Sequence, residues 1–366
     1  MQVLRPHYRT ADVLALMEQA MDSGWAGYGP MSARFEQEWC RYADIPHALF
    51  VNSATAGLHL ALECLKDGRG QVITTPLTFV STNHAILYAG LEPVFADIDG
   101  SLNMDPECVE ALITSDTLAV MFVGIGGNAQ NYAEIRDICT RKGVYLVMDG
   151  AHMAGTVKLR GYHGVALANC QVGWDADVAV YSFQAVKNLP TADSGMVCFA
   201  DPGRHERAKR LSWMGIDRNT FSRSAGAYKW GYDVPEVGWK YNGNDIMACM
   251  GIVGLRHLNA DNAHRRMIAD AYDEHLSHMA VPHMKGSSRH LYQVRVSDRQ
   301  AVIERLRSEG IHCGVHYASN RRYPMYRHCA GDTPMADMMS ERILSLPMTL
   351  DTRICDTRTI ADILRY

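Results

Sequence analysis

The stretch HALFVNSATAGLHLALECL, residues 47–65, sets a short apolar run directly against a helical pattern. HALFVNS (47–53) reads as a strand. In ATAGLHLALECL (54–65), Leu58, Ala61, Leu62 and Leu65 recur at helical spacing. The same join repeats down the chain. QVITTP (71–76) is a second strand, followed by a helix through TNHAILYA (82–89). EPVFADID (92–99) and LAVMFVG (118–124) are strands, and NYAEIRDICTRKG (131–143) is a helix closed by glycine. VYLVMD (144–149), DVAVYSF (177–183) and GMVCFA (195–200) bring the strands to seven. Strands that alternate with helices predict an α/β fold: a mainly parallel seven-stranded sheet flanked by helices on both faces.

The texture changes near residue 245. Two long helical patterns, roughly 245–257 and 259–278, are followed by LYQVRVS (291–297), RQAVIERLRSEG (299–310), IHCGVHY (311–317) and a last helix near 356–365. This predicts an N-terminal segment and large domain over 1–245 and a smaller α+β domain over 246–366. The chain's 366 residues exceed what one typical core holds, which fits two packed units. A net charge of −4 gives no electrostatic case for nucleic acid or an anionic membrane surface. No apolar run reaches membrane-span length, and MQVLRPHYRTADV lacks the apolar core of a signal peptide. The ten cysteines stand singly, without a C-x-x-C pair, so neither a metal motif nor a redox motif is indicated. Reduced thiols in a cytoplasm are the expectation.

In such sheets ligands gather beyond the carboxyl ends of the strands. The polar residues of interest sit there. Asp149 ends VYLVMD, where a buried acid is costly unless it is paired. Ser53, Thr55 and Ala56 open the 54–65 helix, whose first-turn amides and dipole suit a phosphate. Each of these has a plain alternative: Asp149 and Ser53 as helix caps, Phe79 in PLTFVSTN as core. Lys187 follows DVAVYSF in a loop, flanked by Ser182 and small residues. A lysine able to form an imine, an acid at another strand end, a phosphate-ready helix start and an aromatic platform form the set that pyridoxal 5'-phosphate requires.

Several ordered pieces carry a family resemblance: SGWAGYGPMSARFEQEW (23–39), VNSATAGLHLAL (51–62), TTPLTFVSTNHAILYAGLEPVFADID (74–99), VMDGAHMAGT (147–156), YSFQAVKN (181–188), GWKYNGNDIMA (238–248), GVHY (314–317) and ILSLPM (343–348). Through them the chain resembles the DegT/DnrJ/EryC1/StrS family of pyridoxal-phosphate-dependent sugar aminotransferases of fold type I. The resemblance implies Lys187 as the Schiff-base lysine and proton shuttle and Asp149 as partner of the pyridine nitrogen. It implies Phe79 stacked on the ring, and His152 by the other face or the phenolic oxygen. Thr55, Ala56 and Ser182 would contact the phosphate, and Asn242 would reach the phosphate of the neighbouring subunit's cofactor. A homodimer with shared sites is therefore implied, as are an amino donor, L-glutamate or L-glutamine, and a keto acceptor on a nucleotide-linked sugar or related polyol. Arg218 and Arg321–Arg322 are candidates for a diphosphate or a donor carboxylate, against the alternative of solvated surface arginines.

The chain departs from the family pattern at Gln184, at Ala192–Asp193–Ser194, at Ala54, over NAQNYAEI (128–135) and after His316–Tyr317. These places concern the substrate more than the cofactor. Two other readings stay open at this point: a dehydrating reaction of the same cofactor, whose family members replace the lysine by histidine, and a non-catalytic binding or sensor protein. A dinucleotide-binding dehydrogenase is disfavoured, because no G-x-G-x-x-G follows the first strand.

Overall fold

The structure is a computed structural model and describes residues 1–162, 165–217 and 232–365. Two helices, α1 (Thr10–Asp22) and α2 (Pro30–Ala43), precede β1 (His47–Val51) and α3 (Ala54–Leu65). Then come β2 (Gln71–Thr74), α4 (Val80–Tyr88), β3 (Glu92–Phe95), α5 (Pro106–Leu112), β4 (Thr117–Val123), α6 (Tyr132–Lys142) and β5 (Tyr145–Asp149). A hairpin of β6 (Val157–Tyr162) and β7 (Val165–Gln171) leads to β8 (Val178–Ser182), β9 (Gly195–Phe199) and α7 (Pro202–Ser212). The remainder holds α8 (Asp245–Leu276), β10 (Tyr292–Arg295), α9 (Arg299–Ser308), α10 (Pro334–Arg342), β11 (Ile343–Leu346) and α11 (Ile354–Leu364).

Seven strands form one sheet in the order β1-β9-β8-β5-β4-β2-β3. Its pairs are parallel from β8 through β3, and β9 alone runs the other way, antiparallel to both β1 and β8. The expected mainly parallel sheet is thus present, with the strand bounds differing from the expected ones by up to four residues. Successive side chains of a strand point to opposite faces. Along β1, Ala48 and Phe50 enter one core while Leu49 and Val51 enter the other. Along β8, Ala179 and Tyr181 divide from Val178 and Val180 in the same way. Helices cover both layers: Phe35, Trp39, Ile135 and Ile252 on one face, Leu58, Leu62, Ile86 and Ala208 on the other. β4, buried at all seven positions, is the continuous apolar run that such double cover demands.

The two helical patterns after 245 are one helix of 32 residues. No proline or glycine interrupts 255–276, and the two apolar stretches serve two different cores. Ala248, Ile252 and Leu258 pack on the sheet, whereas Ile268, Tyr272 and Leu276 join Tyr292, Val294, Leu306, Leu344 and Ile360 in a separate cluster. The β6–β7 hairpin was not legible as a pair of strands. The first seven residues run along the C-terminal unit, with His312 N–H donating to Met1 O (2.9 Å) and Met348 N–H to Val3 O (3.4 Å). No described helix is long and apolar enough to cross a membrane.

Candidate active site

Four strands of the sheet, β1, β5, β8 and β9, deliver polar residues to one end, because β9 begins where the other three finish. There they enclose a cavity of about 450 Å³. Its walls include Ser53, Thr55, Phe79, Asp149, His152, Ser182 and Lys187, seven residues separated by up to 134 positions in sequence.

α3 starts directly after β1. Ser53 is extended (φ −165°) and caps the helix, its Oγ accepting the Ala56 N–H at 3.1 Å. Ala56 itself is buried and its amide already has this acceptor. The amides bordering the cavity belong to Ala54 and Thr55, and first-turn amides lack helical partners. The helix can lie this close because residue 57 is glycine: a Cβ there would fall 2.9 Å from Val180 Cγ1 of β8.

Asp149 closes β5, in register with Val123 of β4 and Val180 of β8. It is 4% exposed. One carboxylate oxygen accepts from Thr82 Oγ1 (2.7 Å) and the other from the Ala151 N–H (3.1 Å). Burial raises its pKa, opposed by these two bonds and by the charge of Lys187. A carboxylate kept this deep calls for a cationic partner in the cavity.

Lys187 sits on the loop that joins β8 to β9. The two strands keep pairing past the sheet: Phe183 N–H to Ser194 O is 2.9 Å and Ala185 N–H to Ala192 O is 2.9 Å. The loop then turns back, with Lys187 N–H donating to Gln184 O (2.8 Å). What exposure Lys187 has is toward the cavity, and desolvation lowers its amine to about 8, with Asp149 opposing the shift. The neutral, nucleophilic amine is therefore available near neutrality. Capture of pyridoxal phosphate by the cofactor-free protein, followed by stopped-flow absorbance, should rise about tenfold between pH 7 and pH 9 and then level off. A rate still climbing above about pH 10 would mean an unperturbed lysine.

His152 is buried, with the Gly126 N–H donating to its Nδ1 at 3.1 Å and Tyr317 Oη 3.1 Å from its Nε2. Burial and the neighbouring Lys187 charge hold it neutral, well below the ordinary histidine range. Phe79, just before α4, is 57% exposed, which for a phenylalanine is explained by its place on the cavity wall. Its ring lies 5.9 Å from that of Tyr317. Ser182, the last residue of β8, accepts the Gln184 N–H at 3.3 Å.

Asn242 is not part of this cavity. It borders a second one, of about 600 Å³, with Trp25, Tyr28, Arg210, Trp213 and Lys240. Lys240 Nζ donates to its Oδ1 at 2.7 Å. Arg321 and Arg322 do not line this cavity either: Arg321 donates to Thr333 Oγ1 (2.8 Å) and Arg322 pairs with Glu341. Arg218 lies outside the described residues. Thr82 and His290 line the cavity without having been singled out, whereas Thr78 stands at a strand end, Asp193 at a departure from the family pattern, and His316 and Tyr317 inside GVHY.

Tested against pyridoxal phosphate, the wall offers one group for each need. There is an amine for the aldehyde, a buried carboxylate for the ring nitrogen, an exposed aromatic for the ring face, and amides with hydroxyls for the phosphate. Comparison with known proteins bears on the same point. A model of the DegT/DnrJ/EryC1/StrS aminotransferase family matches residues 8–365. The chain is 31% identical to the aminotransferase TlmJ from Streptoalloteichus hindustanus, with a TM-score of 0.88 over 100% of this chain and 98% of that one. Spr1654 from Streptococcus pneumoniae, solved in its PMP form, is 26% identical with a TM-score of 0.89, over 100% and 98% of the two chains. DesI, solved in the presence of its TDP-sugar product, is 27% identical with a TM-score of 0.85, over 100% and 92%.

Proposed function

Because the chain belongs to the DegT/DnrJ/EryC1/StrS aminotransferase family, we propose that it moves an amino group from L-glutamate or L-glutamine to a keto group of a nucleotide-linked sugar or related polyol. It is a pyridoxal-phosphate-dependent aminotransferase, like relatives solved in PLP and PMP forms. When bound, the cofactor supplies an aldehyde for amines and a ring that takes up the electron pair left by a departing proton.

In this reading Lys187 carries the cofactor and moves the proton in both halves of the reaction. Asp149 holds the ring nitrogen protonated, Phe79 stacks on the ring, and His152 stands by its other side. Ser53, Thr55 and Ser182 hold the phosphate, whereas Ala56, expected there from the sequence, is buried with its amide on Ser53 Oγ and does not line the cavity. The observation that carries the reading is the approach of Lys187 and Asp149 to one cavity from the ends of two adjacent strands. The sugar acceptor is supported by DesI, whose product is a TDP-sugar. Asn242 does not line its own chain's cavity, and the family likeness gives this position to the neighbouring subunit's cofactor; on that ground we assign the protein as a homodimer with shared sites. All nine described cysteines are free, which supports a reducing, cytoplasmic setting.

The visible spectrum of the purified enzyme tests the donor. Addition of L-glutamate or L-glutamine without acceptor should bleach the yellow form to the amine form. A yellow protein indifferent to both would reject this donor assignment.

A further inference from the structure

We propose that His290 is a positioning residue for Lys187, acting through Asn188; this rests on the reading of Lys187 as the cofactor-bearing amine. Asn188 follows the lysine directly and is 4% exposed. Its Nδ2 donates to Ser288 O (3.0 Å) and to Asn262 Oδ1 (2.8 Å). Asn262 in turn donates from Nδ2 to Ala154 O at 2.9 Å. Two main-chain carbonyls, which can only accept, thus fix the orientation of both amides. Asn188 Oδ1 is left facing His290 Nδ1 at 2.8 Å. That oxygen also only accepts, so the imidazole proton of His290 sits on Nδ1 and its Nε2 is bare.

His152 carries the opposite tautomer. The Gly126 N–H occupies its Nδ1, so its proton is on Nε2, toward Tyr317 Oη. The two imidazoles meet with centroids 4.4 Å apart at 38°. Both are held neutral by burial, with the charge of Lys187 adding to the effect.

The segment bearing His290 grips three strand-end loops at once. Gly286 O accepts the Val157 N–H (3.0 Å), and Ser287 Oγ donates to Gly127 O (2.9 Å). Ser288 Oγ donates to His152 O (2.8 Å), while the Ser288 N–H donates to Thr156 Oγ1 (3.1 Å). Ser287, Ser288, His290, Thr156, Asn188 and Asn262 are all 4% exposed or less. Simple packing would use apolar side chains at such depth. A buried polar network with its members paired instead specifies one arrangement, here of the lysine loop relative to His152. The other titratable groups near Lys187 are Asp149 at the end of β5, Asp193 on the loop before β9, and His316 and Tyr317 from the C-terminal unit.

The test uses the holoenzyme and the pH titration of its visible absorbance. His290→Leu orphans Asn188 Oδ1 and loosens the recess, so water should favour the charged form on Lys187. The midpoint should move up by about one unit, a tenfold change in that equilibrium. His290→Gln, which keeps an N–H donor, should return it most of the way. A folded His290→Leu enzyme with the wild-type midpoint overturns the proposal, as does a His290→Gln enzyme displaced equally far. Should His290→Leu fail to fold, ¹⁵N-histidine spectra of the wild-type holoenzyme decide, with His290 assigned by its loss in His290→Gln. The proposal requires a neutral ring protonated on Nδ1; protonation on Nε2 or a charged ring overturns it. A Lys187→Ala variant that keeps the wild-type colour and titration would sink the reading of Lys187 itself, whereas a Lys187-dependent colour with an unmoved midpoint in His290→Leu sinks only the positioning role.

Discussion

Lys187→Ala is expected to lower kcat/KM by about 10⁴-fold or more, since it removes both the point of attachment and the proton carrier. The fold should survive. Lys187 lies on a loop held by main-chain bonds, Phe183 to Ser194 and Ala185 to Ala192, that do not involve its side chain. Its amine is a desolvated group whose charged form is disfavoured, so its loss relieves a cost. Compared free of cofactor, thermal melting of the variant should therefore match or exceed the parent's. Lys187→Arg sharpens the test. A guanidinium retains the charge and cannot be deprotonated, so it should restore nothing. Activity within about tenfold of the parent in either variant would remove proton transfer by Lys187 from the account.

Asp149→Asn carries the second large effect. The amide is nearly isosteric and its one oxygen can keep the Thr82 bond, so the packing of the β5 end should hold at the loss of the single bond from the Ala151 N–H. What it removes is the one negative charge that the fold places deep at that strand end, 4% exposed and aimed at the cavity. Loss of a preorganised electrostatic contact costs about 10²–10³-fold in kcat. The expected signature is a protein that still melts cooperatively, binds the cofactor more weakly and turns over at least about a hundredfold more slowly. Equilibrium dialysis against the cofactor and steady-state kinetics measure the two effects. Unchanged kcat in Asp149→Asn would mean that Asp149 is a structural cap for residues 149–151, the plainer reading of a strand-end acid.

Local sequence carried most of the sheet. β1 to β5, β8 and β9 announce themselves as apolar runs because both faces of the sheet are covered, so hydrophobicity alone marks them. The order of the strands and the reversal of β9 are set by contacts between distant segments, which no window of residues contains. The single α8 was divided in two because its apolar face shifts near Leu258, where it leaves one core for another. The hairpin of β6 and β7 was missed for a different reason: the alternation in VKLRGY runs for only four residues before Gly161, and VALANCQ does not alternate.

The site follows the same division. Asp149, Ser182 and Lys187 were found from strand ends, and Ser53 and Thr55 from a helix start, because α/β geometry converts those positions into a shared rim. His290 reaches the rim from 103 positions beyond Lys187 and from another unit of the chain. Its segment, SSRHLYQV, has no pattern that separates a clamp from an ordinary strand entry. Arg321 and Arg322 lie outside the cavity, Arg321 beside Phe95 and Arg322 paired with Glu341, and neither contact is visible in sequence.

The most direct test of the central claim is chemical trapping. The purified holoenzyme is reduced with borohydride, digested and mapped by mass spectrometry. The account predicts a phosphopyridoxyl group fixed to the peptide that contains Lys187, and to no other lysine. A cofactor fixed elsewhere, or none fixed in a protein that is yellow beforehand, would contradict it.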